Sequence, residues 1–135
     1  MKIVLDTNVL ASGIFWSRLP AKILLLWHEQ NFSVCITPEI FKEYTRIIHT
    51  LTKKYPSIDG HYFLEFIALY AKIFPDIKLQ HPISRDPDDD KFIACALNAN
   101  ANIIVSGDKD LLDIKNYKDI EIMTPKNFLI QLNSQ

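Results

Sequence analysis

The chain has no long apolar run, no excess of charge of either sign, and little cysteine or glycine. Its longest hydrophobic stretch, AKILLLW at 21–27, falls far short of the roughly 20 residues needed to span a bilayer. No membrane segment is expected. One lysine and a few apolar residues precede Asp6, too short a run for the apolar core of a signal peptide, and the expected location is cytoplasmic. Lys and Arg total 15 against 16 Asp and Glu, with a pI near 6.4. That balance excludes a bulk positive field able to collect nucleic acid by counterion release, so any polyanion binding must be local. The two cysteines, Cys35 and Cys95, lie inside FSVCIT and FIACAL; thiols in such surroundings are inert core fillers. Neither forms a metal or redox pair. With 48% hydrophobic residues, 23% charged, three Gly and seven Pro, the chain lacks the polar bias of disorder. There is no repeat or low-complexity segment, and 135 residues are expected to fold as one domain over 1–135.

What is present is regular punctuation. Thr37-Pro38, Asp86-Pro87 and Thr124-Pro125 each place a capping side chain before proline, the signature of a helix start. After Thr37, the residues Ile40, Phe41, Tyr44, Ile47, Ile48 and Leu51 recur with the period of an amphipathic helix, expected over 38–53. Phe63, Phe66, Ile67, Tyr70 and Ile73 carry the same period and predict a helix over 59–74, stopped by Pro75. Further helices are expected over 20–29 and 125–132. The stretch TKKYPSIDG reads as a basic connecting loop. Between the helices lie KIVL, FSVCI, IKLQ, NIIVS and IEIM, short apolar runs of strand length. Strands alternating with helices predict a three-layer α/β sandwich with a central parallel sheet of about five strands.

Ligands of open parallel sheets bind beyond the carboxyl ends of the strands, so the acids are sorted by strand end. Asp6 closes KIVL, RDPDDDK follows IKLQ, and SGDKD closes NIIV. The helix after FSVCI adds a fourth point: with its stripe centred on Ile40, Tyr44, Ile47 and Leu51, Glu43 lies on the stripe border and Glu39 farther round. In DPDDDKFIACAL the same construction favours Asp89 over Asp90. Two carboxylates about 4 Å apart repel by about 4 kcal/mol at an effective dielectric near 20, so such a group needs protons, lysines or a metal. Oxygen donors without Cys or clustered His favour Mg2+ or Mn2+ over Zn2+. A water polarised by such an ion is a nucleophile for a phosphodiester.

Taken singly, each acid also has an ordinary reading. Asp6 is placed to cap the following turn, Asp108 a short helix at DKDLL and Asp86 the helix after it in DPDDDK, while Asp88 sits in a first turn favoured by the helix dipole. Glu43 is placed to pair with Lys42 or Arg46. His28, His49, His61 and His81 show no ligand spacing and are expected at the surface. Trp16 and Trp27 belong to apolar segments and are read as core or interface, with base stacking the alternative.

Together, VLDTNVL, the isolated Glu43 in TPEIFKEYTRI, DPDDDKFIACAL and NIIVSGDKDLL resemble the PIN domain, in particular toxin components of VapC type, in order over nearly the full chain. The resemblance implies a metal-dependent ribonuclease with Asp6, Glu43, Asp89 and Asp108 as catalytic and metal-binding acids, and Asn8, Asp90, Ser106 and Asp110 as auxiliaries. It also implies RNA as substrate, an antitoxin as partner and a homodimer as a common assembly. Arg18, Lys22, Arg46, Lys53 and Lys54 are the candidate contacts to the RNA backbone. Relatives often carry Gly in the turn before the last motif strand, where this chain has Asn100, a residue that tolerates a left-handed backbone. Two rivals stand beside this expectation. One is a PIN-like RNA-binding module without catalysis. The other is a phosphoacceptor receiver-type domain, which needs an acidic pair on the first strand and a Lys on the last; this chain has DTN and no such Lys.

Overall fold

The computed structural model describes residues 1–16 and 18–134. Among them the strands β1 (Lys2–Leu5), β2 (Ser33–Ile36), β3 (Lys72–Ile73), β4 (Ile103–Val105), β5 (Asn116–Tyr117) and β6 (Ile120–Met123) form a six-stranded sheet in the order β3-β2-β1-β4-β6-β5. All neighbours run parallel except β5, which pairs antiparallel with β6 at the edge. In register, Ile3 faces Val34 on one side and Ile103 on the other. Ile3, Val4, Leu5, Val34, Cys35, Ile36, Ile104 and Val105 are all 0% exposed. The runs are apolar throughout because a parallel sheet is covered on both faces.

The helices are α1 (Thr7–Phe15), α2 (Arg18–His28), α3 (Pro38–Lys54), α4 (Gly60–Tyr70), α5 (Asp90–Ala99), α6 (Lys109–Leu112) and α7 (Pro125–Asn133), with a 3-10 turn at Pro87–Asp89 ahead of α5. All three proline-marked starts form as expected. Thr37 accepts from the Ile40 amide, Asp86 from Asp88 and Thr124 from Asn127. Asn100 ends α5 at φ 56°, ψ 39°, the left-handed cap anticipated for it. Both cysteines are buried in the core, and burial pushes the Cys95 thiol up to about 12.

The structure departs from expectation in four places. IKLQ forms no strand; the third strand is instead Lys72–Ile73, which pairs with Cys35 and Ile36. The helix of the 59–74 region ends at Tyr70 rather than Phe74, since Ala71 turns extended and the Phe74 amide bonds the Ile36 carbonyl at 2.9 Å. TKKYPSIDG begins inside α3. Helix α1 was not foreseen. It packs closely on α2 at Gly13, where an added Cβ would meet the Pro20 carbonyl oxygen at 2.8 Å. No single helix among the described residues is long and apolar enough to cross a membrane.

Candidate metal centre

Strand order reverses around β1: β2 and β3 continue to one side, β4 and β6 to the other. The crevice of such a sheet opens where the carboxyl ends of β1 and β4 diverge. Asp6 follows directly on β1, and Ser106-Gly107-Asp108 on β4. The Asp6 amide is tied to the Val105 carbonyl at 3.0 Å. Asp6 is 4% exposed, and although its backbone caps α1, its side chain makes no capping bond. The carboxylate instead accepts from Ser106 Oγ at 2.7 Å. Burial pushes the Asp6 carboxyl up, with the charges of Asp108 and Glu43 adding to it; the Ser106 hydroxyl and the Asn8 amide pull the other way.

Asp89 ends the 3-10 turn, 8% exposed. Its Oδ2 is the one buried side-chain polar atom among the described residues without a hydrogen-bond partner. Burial, then contact with the Asp108 carboxyl and the charges of Asp108, Asp6 and Asp86, push its carboxyl up to about 7. A desolvated oxygen with no donor is costly, and the neighbours here are acids. Asp108 caps α6, accepting from the Asp110 amide at 2.9 Å, while its own amide donates to Ser106 Oγ at 2.9 Å. Ser106, 0% exposed, therefore links Asp6 and Asp108 through a single oxygen.

Glu43 reaches the same pocket from α3 but arrives paired. Lys91 Nζ lies 2.6 Å from its Oε1, and the Thr7 hydroxyl donates to its Oε2. The expected partners, Lys42 and Arg46, make no ion pair with it. One residue on, the Tyr44 hydroxyl donates to the Leu5 carbonyl at 2.5 Å, fixing α3 against the end of β1. Asp90 faces elsewhere: its two oxygens accept from the Ser84 amide at 2.8 Å and the Ile83 amide at 3.2 Å. Asp86, Asp89 and Asp110 offer carboxylate oxygens all within 4.8 Å of one another, so Asp89 has acids on two sides. Asp110 is also held by Arg85 at 3.0 Å, and Arg85 reaches Asp113 at 2.5 Å.

The fold thus gathers Asp6, Glu43, Asp89 and Asp108, with Ser106 and Asp110 beside them. It leaves Asn8 exposed and turns Asp90 toward the loop at 83–84. Arg18, Lys22, Arg46, Lys53 and Lys54 are exposed; of these, only Arg46 shares a surface depression with Glu43. The four histidines are exposed as expected; Trp27 is core at 3% exposure and Trp16 lies at the surface at 59%. Thr7, Arg85 and Lys91 escaped the sequence reading. The i,i+3 spacing of Asp88 and Lys91 announces their pair at 3.0 Å, whereas the Lys91–Glu43 pair spans two helices and leaves no local trace.

A parallel α/β sheet with buried acids at its switch point defines a class, and comparison with known proteins identifies it. The sequence profile of the PIN domain matches residues 2–110: the chain belongs to the PIN domain family. Uncharacterized protein MJ1680 of Methanocaldococcus jannaschii is 30% identical over 141 aligned positions, covering 96% of this chain and 90% of that protein. Among solved structures, PAE2754 from Pyrobaculum aerophilum superposes with a TM-score of 0.63 at 14% identity over 100% of this chain and 91% of that one. VapBC2 from Rickettsia felis, bound to a DNA fragment from its promoter, gives 0.61 at 16% identity, covering 90% and 97%. Both are similar in fold.

Proposed function

We propose that the protein is a Mg2+- or Mn2+-dependent endoribonuclease, the toxin component of a toxin–antitoxin pair of VapC type, acting in the cytoplasm. The observation that carries this reading is the buried, donor-free Oδ2 of Asp89, on a carboxyl that meets that of Asp108 and feels the charge of Asp6. Family membership and the oxygen-only donor set support it. The residues present fit a hard divalent cation: Asp6, Asp89 and Asp108 would hold it, with Glu43 bordering the pocket. When bound, such an ion supplies a water activated for attack on phosphorus and offsets charge on the leaving oxygen.

The chain's own residues prepare that site. Ser106 orients the Asp6 carboxylate and at the same time fixes the turn that carries Asp108. Lys91 and Thr7 hold the Glu43 carboxylate still. Exposed Arg46, which shares a surface depression with Glu43, is the candidate contact to the RNA backbone. For an antitoxin, the fitting surface is the apolar groove between α1, α2 and α4, lined by Leu10, Leu25, Trp27, Tyr62, Phe63 and Phe66; self-association as a homodimer is the second use of exposed apolar surface.

Single-stranded RNA incubated with the protein and Mg2+ or Mn2+ is expected to be cut, and EDTA to stop cleavage. Alanine at Asp6 or Asp89 is expected to abolish cleavage while the circular-dichroism spectrum stays unchanged. RNA binding without cleavage under all of these conditions would leave a silent RNA-binding module as the better reading.

A further inference from the structure

Charge is distributed unevenly among the acids of the pocket. Among the described residues, no Lys, Arg or His forms an ion pair with Asp6, Asp89 or Asp108, while Glu43 has one of its own. The Lys91 side chain is 6% exposed and that of Glu43 15%. Lys91 Nζ sits 2.6 Å from Glu43 Oε1 and 3.0 Å from Asp88 Oδ1. Burying an ammonium is expensive unless its partners hold it closely, and here two carboxylates do. The second oxygen of Glu43 takes the Thr7 hydroxyl. Both oxygens of Glu43 are therefore engaged by this chain, and its charge is matched before any ion arrives.

We propose that Lys91 is the resident counter-ion of Glu43, that Glu43 for this reason does not ligate the divalent ion directly, and that the Lys91–Glu43 pair sets how tightly Asp6, Asp89 and Asp108 hold it. This rests on the metal-dependent reading above. A pocket with all four acids unpaired would carry one more negative charge next to the ion. Glu43 lies near enough for its charge to act on the Asp6 carboxyl, and a charge so placed strengthens cation binding even at the dielectric of a protein surface. Lys91 offsets that charge. Lys91 is thereby a positioning and charge-setting residue: it acts on the ion through Glu43 and not by contact with substrate.

The experiment is Mn2+ titration of the full chain without RNA, followed by the paramagnetic signal of the free ion. It compares the wild type with Lys91→Met, Glu43→Gln and the double variant. Lys91→Met leaves Glu43 without a counter-charge and is expected to tighten Mn2+ binding about tenfold; Glu43→Gln leaves Lys91 held only by the exposed Asp88 and is expected to weaken it about tenfold. The double variant removes both charges and is expected to return to within about threefold of the wild type. If Glu43 is a direct ligand, the double variant stays more than about tenfold weaker than the wild type, because the lost ligand is not restored by removing Lys91, and the inference is overturned. Unchanged or weaker binding by Lys91→Met overturns it as well. Should Lys91→Met alone fail to fold, the comparison of Glu43→Gln with the double variant decides, since the double variant buries no unpaired charge. A wild type that binds no Mn2+ overturns the metal-dependent reading and this inference with it; a wild type that binds, with the variants failing as described, removes only the inference.

Discussion

Ser106 joins Asp6 to Asp108 through one oxygen: its hydroxyl donates to the Asp6 carboxylate at 2.7 Å and accepts the Asp108 amide at 2.9 Å. The two acids come from the ends of adjacent strands, 102 residues apart in sequence, and this buried serine sets the position of the buried Asp6 relative to the half-buried Asp108. Replacing it with alanine is expected to cost about 1 kcal/mol in stability. RNA cleavage should fall about 10- to 100-fold, the usual effect of losing a group that orients a metal ligand. Denaturant unfolding and a cleavage time course measure the two. Wild-type cleavage by Ser106→Ala would remove the serine from the account.

The Asp89 carboxyl gives a pH signature. Held up to about 7 in the folded protein, with burial the main cause, it titrates near the ordinary carboxylate value of about 3.9 once unfolded. Between these values the folded state binds the extra proton. The contribution is therefore full below pH of about 4 and is lost as pH rises through about 7. The burial that lifts Asp6 works in the same direction. In EDTA, the melting temperature of Asp89→Asn should exceed that of the wild type at pH 8, and the gap should shrink toward pH 4. Saturating Mn2+ should close the gap by stabilising the wild type alone. A gap that does not change with pH would contradict the placement of this carboxyl.

Tyr44 carries the link between α3 and the sheet. Its hydroxyl, on a side chain 0% exposed, donates to the Leu5 carbonyl one residue before Asp6. Tyr44→Phe is expected to lower stability by about 1–2 kcal/mol, read as a shift of the urea midpoint without change of slope. Because Glu43 precedes Tyr44, Mn2+ affinity measured on the same variant should change as well. A variant as stable as the wild type would show that packing alone seats the helix.

How far the sequence discloses this molecule depends on how local each determinant is. Thr37, Asp86 and Thr124 declare their helices because a cap and a proline act within one turn. The acids at the ends of β1 and β4 were readable for a similar reason, since a strand end is marked by the change from apolar to polar. Helix α1 was hidden by an apolar run without periodicity, TNVLASGIF, whose glycine serves contact with α2 and not a turn. IKLQ looked like a strand by composition, yet the edge position went to Lys72–Ile73, decided by pairing with β2. Helical phase favours Asp89 over Asp90 in the sequence, whereas in the structure Asp89 lies in the 3-10 turn ahead of α5 and what separates the two is that Asp90 is occupied by two loop amides. Lys91 was out of reach, because its partner Glu43 lies on another helix 48 residues earlier and no spacing rule connects the two.

Asp6, Asp89 and Asp108 are proposed to hold a divalent cation jointly. Crystals soaked in Mn2+ and measured at the manganese edge test it directly. An anomalous peak is expected about 2.0–2.3 Å from oxygens of these carboxylates, with the Lys91–Glu43 pair intact alongside. A pocket without a peak, or a peak held by Asp86 and Asp110 alone with Asp6 and Asp108 turned away, would contradict it.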